Sequence, residues 1–298
     1  RLWISAPRIN NWMRAAPVAK SYCALVIRTM SECAANTGED AYSLEPADKR
    51  VLRLLQLTDC HVFADAETCL KDLNTRNSLA AVVDHILQNN PGFDALLATG
   101  DLSQDASAAS YQHLAKVFSR LPLPGFWIPG HHDAPAVMQH NLSAQNLHHH
   151  KLLLAPGWVV ILLDSTIAGE VAGYLSPPQL SFLDDALKQF ADRHALVCLH
   201  HQAIAVGSEW IDLKGLKNPH SLLDLLAGHS NVKAVICGHV HQQSDQIVDG
   251  IRWISTPSSC VQFKPGSRDF AIDDDNSPGY RWLELYADGT VDSGVERV

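Results

Sequence analysis

The sequence predicts an α/β layered fold. Two observations carry that reading. From Arg50 onward, apolar runs of strand length alternate with stretches of helical period. The last third of the chain then adds a hairpin signal, which brings antiparallel strands. Helices between strands imply one large sheet or two packed ones, with helices on the outside.

The elements follow in order. "VLRLLQLT" (51–58) reads as a strand. "SLAAVVDHILQNN" (78–90) reads as a helix closed by Pro91-Gly92. "FDALLAT" (93–99) is a strand, "SAASYQHLAKVFSRL" (107–121) a helix and "GFWIP" (125–129) a short strand. "GWVVILLD" (157–164) is the next strand. Ser176 then caps a helix that has Pro177 at its first position and runs to about Phe190. "ALVCLH" (195–200), "PHSLLDLLAGH" (219–229) and "NVKAVICGH" (231–239) read as strand, helix and strand. "SDQIVDGIRWIST" (244–256) reads as a hairpin turning at Asp249-Gly250, and "GYRWLELYADGTV" (279–291) as the last strand.

Residues 1–49 differ from the rest. The first thirty carry Arg1, Arg8, Arg14, Lys20 and Arg28 and no acidic residue, faintly like a transit peptide but without an amphipathic period. We expect a poorly ordered extension there and a single domain over 50–298. No internal repeat or low-complexity tract stands out. The net charge of −9 argues against a dedicated nucleic-acid binder, which would show a basic face. It leaves room for a small phosphorylated substrate, since metal charge can dominate a pocket. No apolar run approaches transmembrane length. The seven cysteines form no CxxC pair, so we expect reduced, mostly buried thiols and a cytoplasmic protein.

Five polar motifs stand at strand ends: "TDCH" (58–61), "TGDLSQD" (99–105), "PGHHD" (129–133), "LHHQ" (199–202) and "CGHVH" (237–241). In open α/β sheets ligands collect at that edge, so the five are expected to converge. Residues i and i+2 of extended chain point to one side, so Asp59 and His61 are expected to aim together, as are His239 and His241. Gly100 and Gly238 let backbone approach the site. Each motif alone is weak among sixteen histidines. D-x-H recurs at Asp192–His194, Gly-His at Gly228-His229 and H-x-H at His148–His150, all read as surface histidines or helix caps. The ordered set of Asp59, His61, Asp101, His131 or His132, His200, His239 and His241 is the informative feature. Imidazole mixed with carboxylate suits zinc, manganese or iron. One tetrahedral site cannot use so many donors; two metals sharing a carboxylate can, as a clamp for displacement at phosphorus.

The series "DCH", "GD", "GHHD", "HH" and "GHVH" resembles the calcineurin-like metallophosphoesterases over about residues 50–245. "LLQLTDCHVF", "ATGDLSQD", "VICGHVHQ" and "TPSSCVQFKP" carry a narrower likeness to bacterial class III 3′,5′-cyclic-AMP phosphodiesterases. The resemblance implies a four-layer α/β/β/α sandwich. It implies that Asp59, His61 and His241 hold one metal, that Asp101 bridges, and that His200 and His239 hold the other. His131 stands where the family has a metal-binding Asn, a departure that leaves either a nitrogen ligand or a weakened second site. A tight turn could seat it in the left-handed backbone region. His132 matches the histidine that contacts substrate and is assigned as acid to the leaving oxygen. Asp133 is the expected acidic neighbour.

The implied activity is dinuclear-metal hydrolysis of 3′,5′-cyclic AMP to 5′-AMP by a metal-bridging hydroxide. His61, Asp101, His131 and His132 would line the substrate, a small cyclic nucleotide rather than a nucleic acid or membrane. The cofactors would be two divalent or mixed-valence ions of iron, manganese or zinc. A broader phosphodiesterase or phosphomonoesterase, or a non-catalytic scaffold of the same fold, are the competing readings. Phe263 and Trp127 are candidates to stack on a purine, though core packing is the commoner fate of such residues. His201 is expected to point away from His200, in a supporting role, and Asp164-Ser165 takes no assigned chemistry.

Overall fold

A computed structural model describes residues 40–89, 92–143 and 146–298. Two sheets face one another. The first holds six strands in the order β15-β14-β2-β5-β6-β7. Its parallel half is β2 (Val51–Leu57), β5 (Ala95–Thr99), β6 (Gly125–Ile128) and β7 (Leu147–His148). β14 (Gly279–Tyr286) and β15 (Val291–Arg297) add antiparallel to β2.

The second sheet holds seven strands in the order β1-β8-β9-β10-β11-β13-β12. β9 (Trp158–Leu162), β10 (His194–Cys198) and β11 (Val232–Cys237) form its parallel centre. β12 (Ser244–Val248) and β13 (Ile251–Ser255) are the hairpin read at Asp249-Gly250, with β13 parallel to β11. A separate two-strand hairpin, β3 (Cys69–Leu70) and β4 (Leu73–Asn74), turns through Lys71 and Asp72, both at positive φ.

Burial explains the layering. Leu54, Leu97 and Phe126 of the first sheet meet Val160, Leu196 and Ile236 of the second in an apolar interlayer, with the buried Gln56 and Arg281 bonding across it to Cys237 O and Ser255 O. The outer face of the first sheet is covered by α1 (Thr75–Asn89), α2 (Ala108–Phe118) and α3 (Pro135–Leu142), which bury residues such as Val83, Leu114 and Met138. The outer face of the second carries α4 (Pro177–Gln189) and, beyond the one-turn α5 (Glu209–Asp212), α6 (Pro219–Ala227). The layers therefore run helix, sheet, sheet, helix. Ser107 caps α2 by accepting from Ser110 N at 3.1 Å, and Ser176 caps α4 ahead of Pro177.

Two sequence expectations change. The run 279–291 is a hairpin rather than one strand, because Asp288-Gly289 turns the chain between β14 and β15. The first strand of the fold lies ahead of residue 50: β1 (Ala41–Ser43) pairs parallel with β8 (Leu152–Ala155), and Leu44 is buried in the interlayer core. The expectation for residues 1–39 lies outside the described residues. Among those described, no helix is long and apolar enough to cross a membrane. Cys60, Cys198, Cys237 and Cys260 are buried free thiols and Cys69 is an exposed one.

Candidate metal centre

The five motifs meet at one edge, where the carboxyl ends of β2, β5, β6, β10 and β11 open into loops. Convergence does not come from extended chain. Asp59, His61, Asp101, His239 and His241 all sit at φ between 46° and 67°, in the left-handed region. Asp and His tolerate that region better than most side chains, at roughly 1–3 kcal/mol each. The loops thus curl back over the strand ends and turn the side chains inward together. His131, for which a left-handed turn was considered, is not among the positive-φ residues.

Close backbone approach is real at the two glycines. A Cβ on Gly100 would stand 2.5 Å from His200 Nδ1, and one on Gly238 would collide with Thr58 and stand 2.7 Å from Asp59 Oδ2. Asp133 ties the loops together. Its carboxylate accepts from the N–H groups of Gly130, Leu102 and Ser103 at 3.0–3.1 Å and from the Tyr111 hydroxyl at 3.0 Å. Burial, then the neighbouring Asp101 charge, pushes its carboxyl up to about 6 against those donors.

The donors fall into two groups. Asp59, His61 and His241 lie together on one side; His131, His200 and His239 lie on the other, with Asp101 between. Asp101 Oδ2 is 3.1 Å from His131 Nδ1, 3.3 Å from His200 Nε2 and 3.9 Å from His61 Nε2. His241 Nε2 is 3.3 Å from Asp59 Oδ1.

The ring nitrogens turned away from the cluster are all engaged at four of the histidines. His61 Nδ1 donates to Gln104 Oε1 at 2.7 Å, His200 Nδ1 to Thr99 O at 2.9 Å and His241 Nδ1 to Val261 O at 2.8 Å. His239 donates through Nε2 to Lys214 O at 3.1 Å. Such bonds fix tautomer and aim the bare nitrogen of each ring inward. Four inward atoms have no partner: Asp101 Oδ2, His131 Nδ1, His200 Nε2 and His239 Nδ1 are buried without a hydrogen bond. Burial also keeps most of the rings neutral, pushing His61 down to about 3 and His131 down to about 4, and His239 well below the usual range. At His200 burial opposes the charged ring, but the Asp101 carboxylate outweighs it and raises the imidazole to about 9. A buried set of nitrogen and carboxylate donors whose inward atoms lack partners fits two cations with a shared carboxylate.

His132 faces the same space from the side, its ring edge-to-face with His61 at 5.0 Å. His132 N donates to Asp101 Oδ1 at 2.9 Å, which couples the "PGHHD" turn to the "GD" turn. A cavity of about 310 Å³ opens over the cluster, lined by His61, Gln104, His131, His132, His239 and His241 on its floor. Its wall is apolar: Trp210, Phe263 and Phe270 pack edge-to-face at 5.0–5.5 Å, with Val171 and Leu70 alongside. Phe263 lies flat on His241 at 4.0 Å. Lys71, at the β3–β4 turn, sits over Phe270, and Lys214 over Trp210.

Several sequence assignments resolve differently. Trp127 is not at the site; it is 6% exposed in the helix-side core. His201 does not point away, because β10 ends at Cys198; its ring lies 4.8 Å from that of His200. Both of its nitrogens are taken, Nδ1 by Ser165 Oγ at 2.8 Å and Nε2 by Val171 O at 3.0 Å, so it packs behind the cluster. Ser165 therefore has a part in orienting it. The repeated motifs are decoys: His229 binds Asp184 at 2.9 Å, His194 packs on Trp158, and His148 and His150 pack on Tyr42. Gln104, Trp210 and Phe270 were not anticipated. Gln104 stands inside the quoted "TGDLSQD"; the two aromatics carry no local motif.

A cluster of this composition, at the strand ends of a double-sheet sandwich, defines a metal-dependent hydrolase of the phosphoester class. The calcineurin-like phosphoesterase family profile matches residues 52–243, and the chain belongs to that family. It is 40% identical over 257 residues to the 3′,5′-cyclic adenosine monophosphate phosphodiesterase CpdA of Pseudomonas aeruginosa, covering 86% of this chain and 94% of that one. It is 39% identical over 261 residues to CpdA of Escherichia coli K12, covering 87% and 94%. Among solved structures it resembles a dimetal phosphatase from Danio rerio, with TM-score 0.58, 17% identity and coverage of 83% and 99%. GAP50, an inner-membrane-complex anchor of Plasmodium, shares the fold at TM-score 0.60, 14% identity and coverage of 84% and 85%.

Proposed function

We propose that this chain hydrolyses 3′,5′-cyclic AMP to 5′-AMP with two metal ions held by Asp59, His61, His241, Asp101, His131, His200 and His239. The observation that carries the reading is Asp101, whose Oδ2 lacks a hydrogen bond and lies between two donor groups. The CpdA relatives, similar over nearly their whole length, support the substrate. The donor chemistry supports iron, manganese or zinc over magnesium or calcium. When bound, such a pair supplies Lewis-acid polarisation of a phosphoryl group and an acidified water.

The chain's own groups supply the rest. Seven donors preset on their loops spare reorganisation at the moment of reaction. His132, on the cavity floor, gives hydrogen to the departing ribose 3′ oxygen as charge builds there. The Trp210–Phe263–Phe270 wall offers a face for the base and excludes water from that side. Lys71 and Lys214 place positive charge at the rim of an otherwise acidic protein. A cytoplasmic setting accords with the free thiols, four of them buried.

The test is turnover of a substrate panel by metal-loaded protein, with product analysis. Cyclic AMP should be the preferred substrate and 5′-AMP its product. Faster turnover of 2′,3′-cyclic nucleotides, an aryl diester or a phosphomonoester would replace this reading with a broader esterase.

A further inference from the structure

We propose that Gln104 is a positioning residue that sets the ring protons of two histidines at once, leaving His61 bare at Nε2 and His132 protonated at Nε2. One side-chain amide lies between two imidazoles. Its Oε1 is 2.7 Å from His61 Nδ1, and its Nε2 is 3.0 Å from His132 Nδ1. An amide accepts only at oxygen and donates only at nitrogen. The oxygen therefore requires hydrogen on His61 Nδ1, which turns a lone pair at Nε2 toward Asp59, Asp101 and His241. The nitrogen therefore requires a lone pair on His132 Nδ1, so the hydrogen of that ring stands on Nε2.

The reverse orientation of the amide conflicts with the two-metal reading proposed above. It would strip His61 Nδ1 of its hydrogen and point an N–H from His61 into the donor cluster. The backbone holds the amide in place: Gln104 N donates to Val62 O at 3.0 Å, and Val62 N to Leu102 O at 3.0 Å, stitching this loop to the one that carries His61. Gln104, His61 and His132 all line the one cavity.

The consequence for turnover rests on the function proposed above. As the P–O3′ bond breaks, its electron pair goes to O3′. The hydrogen on His132 Nε2 bonds to that oxygen as charge builds there; water supplies the proton that O3′ keeps, and the hydroxide so formed goes to solvent. Gln104 thus readies the hydrogen on Nε2 before substrate arrives. Poor leaving groups need this help; aryl oxides do not.

Two measurements decide it. Nitrogen NMR of histidine-labelled wild-type protein should report His132 as the Nε2–H tautomer and His61 as Nδ1–H. Gln104→Met, nearly isosteric and apolar, should lower kcat for cyclic AMP by about 10–100-fold at saturating metal while an aryl phosphodiester loses less than about threefold. Hydrogen on His132 Nδ1 in the wild type, or equal losses on both substrates, would overturn the proposal. His132→Ala separates it from the parent reading: if that variant keeps full cyclic-AMP turnover, the role of His132 fails, and the NMR arm still decides whether Gln104 sets the tautomers.

Discussion

The Nε2 atoms of His61 and His241 face one another at 3.1 Å. Both rings donate through Nδ1 to an oxygen, His61 to Gln104 and His241 to Val261. With each ring's hydrogen on Nδ1, two Nε2 lone pairs meet in a buried site, beside two carboxylates. Such a contact is repulsive without a cation and favourable around one. Metal removal should accordingly destabilise the fold as well as abolish activity. Differential scanning calorimetry of holo and chelated protein should show a lower Tm after chelation, recovered on adding metal.

Asp101 lies between both donor groups, so its loss should affect both sites. Asp101→Asn keeps the shape and removes the charge. It should lower metal content below two per chain and cut cyclic-AMP turnover by at least 10²-fold, read by elemental analysis and kinetics. Full content in that variant would mean Asp101 does not bridge.

His131 Nδ1 lies 3.1 Å from Asp101 Oδ2. Three imidazoles and a carboxylate make a nitrogen-rich second group. The substitution His131→Asn should keep two metals and cyclic-AMP hydrolysis, with altered affinity for the second ion. Titration of apo protein with zinc and with manganese measures this, and identical affinities for both ions in the two proteins would show that His131 is not a ligand.

The aromatic wall predicts an effect on binding rather than on chemistry. Phe270 is 48% exposed at the cavity edge and stacks on no catalytic donor. Phe270→Ala should raise KM for cyclic AMP several-fold with kcat within about twofold, since one lost aromatic face is worth about 1 kcal/mol. A matching fall in kcat would mean the wall shapes the floor.

Away from the site, Arg252 makes a bidentate pair with Asp245 across the β12–β13 hairpin at 2.6–2.8 Å. The Arg252 hydrogen bond holds the Asp245 carboxyl below its usual range. Its contribution is therefore present above the unfolded value of about 3.9 and lost as pH falls through the lower folded one. Because the pair is partly exposed, Asp245→Asn should cost about 1 kcal/mol or less at pH 7, and nothing at the acid end. Urea unfolding at both pH values tests the sign.

Much of this was legible because the signals are local. Strand length, alternation and the Ser176-Pro177 and Asp249-Gly250 signals marked most elements. Strands such as β1 and β8 were not marked, since each is short and acquires meaning only from its neighbour in the sheet. The donor cluster was legible because its residues follow apolar strands, yet the reason for its convergence was not. Left-handed backbone at five of the seven donors depends on loop closure, which spacing does not encode. Gln104 and the Trp210–Phe270 wall were hidden for the same reason: their partners lie 28 to 60 positions away in the chain.

The central claim is a two-metal phosphodiesterase for cyclic AMP, and one measurement meets it most directly. Purified protein should be assayed for bound metal and for cyclic-AMP hydrolysis in parallel, before chelation, after it and after reloading. Two ions per chain, with activity lost and regained in step with them and 5′-AMP as the sole product, is the predicted result. Hydrolysis that survives complete removal of metal, or a fully loaded protein that leaves cyclic AMP intact, would contradict it.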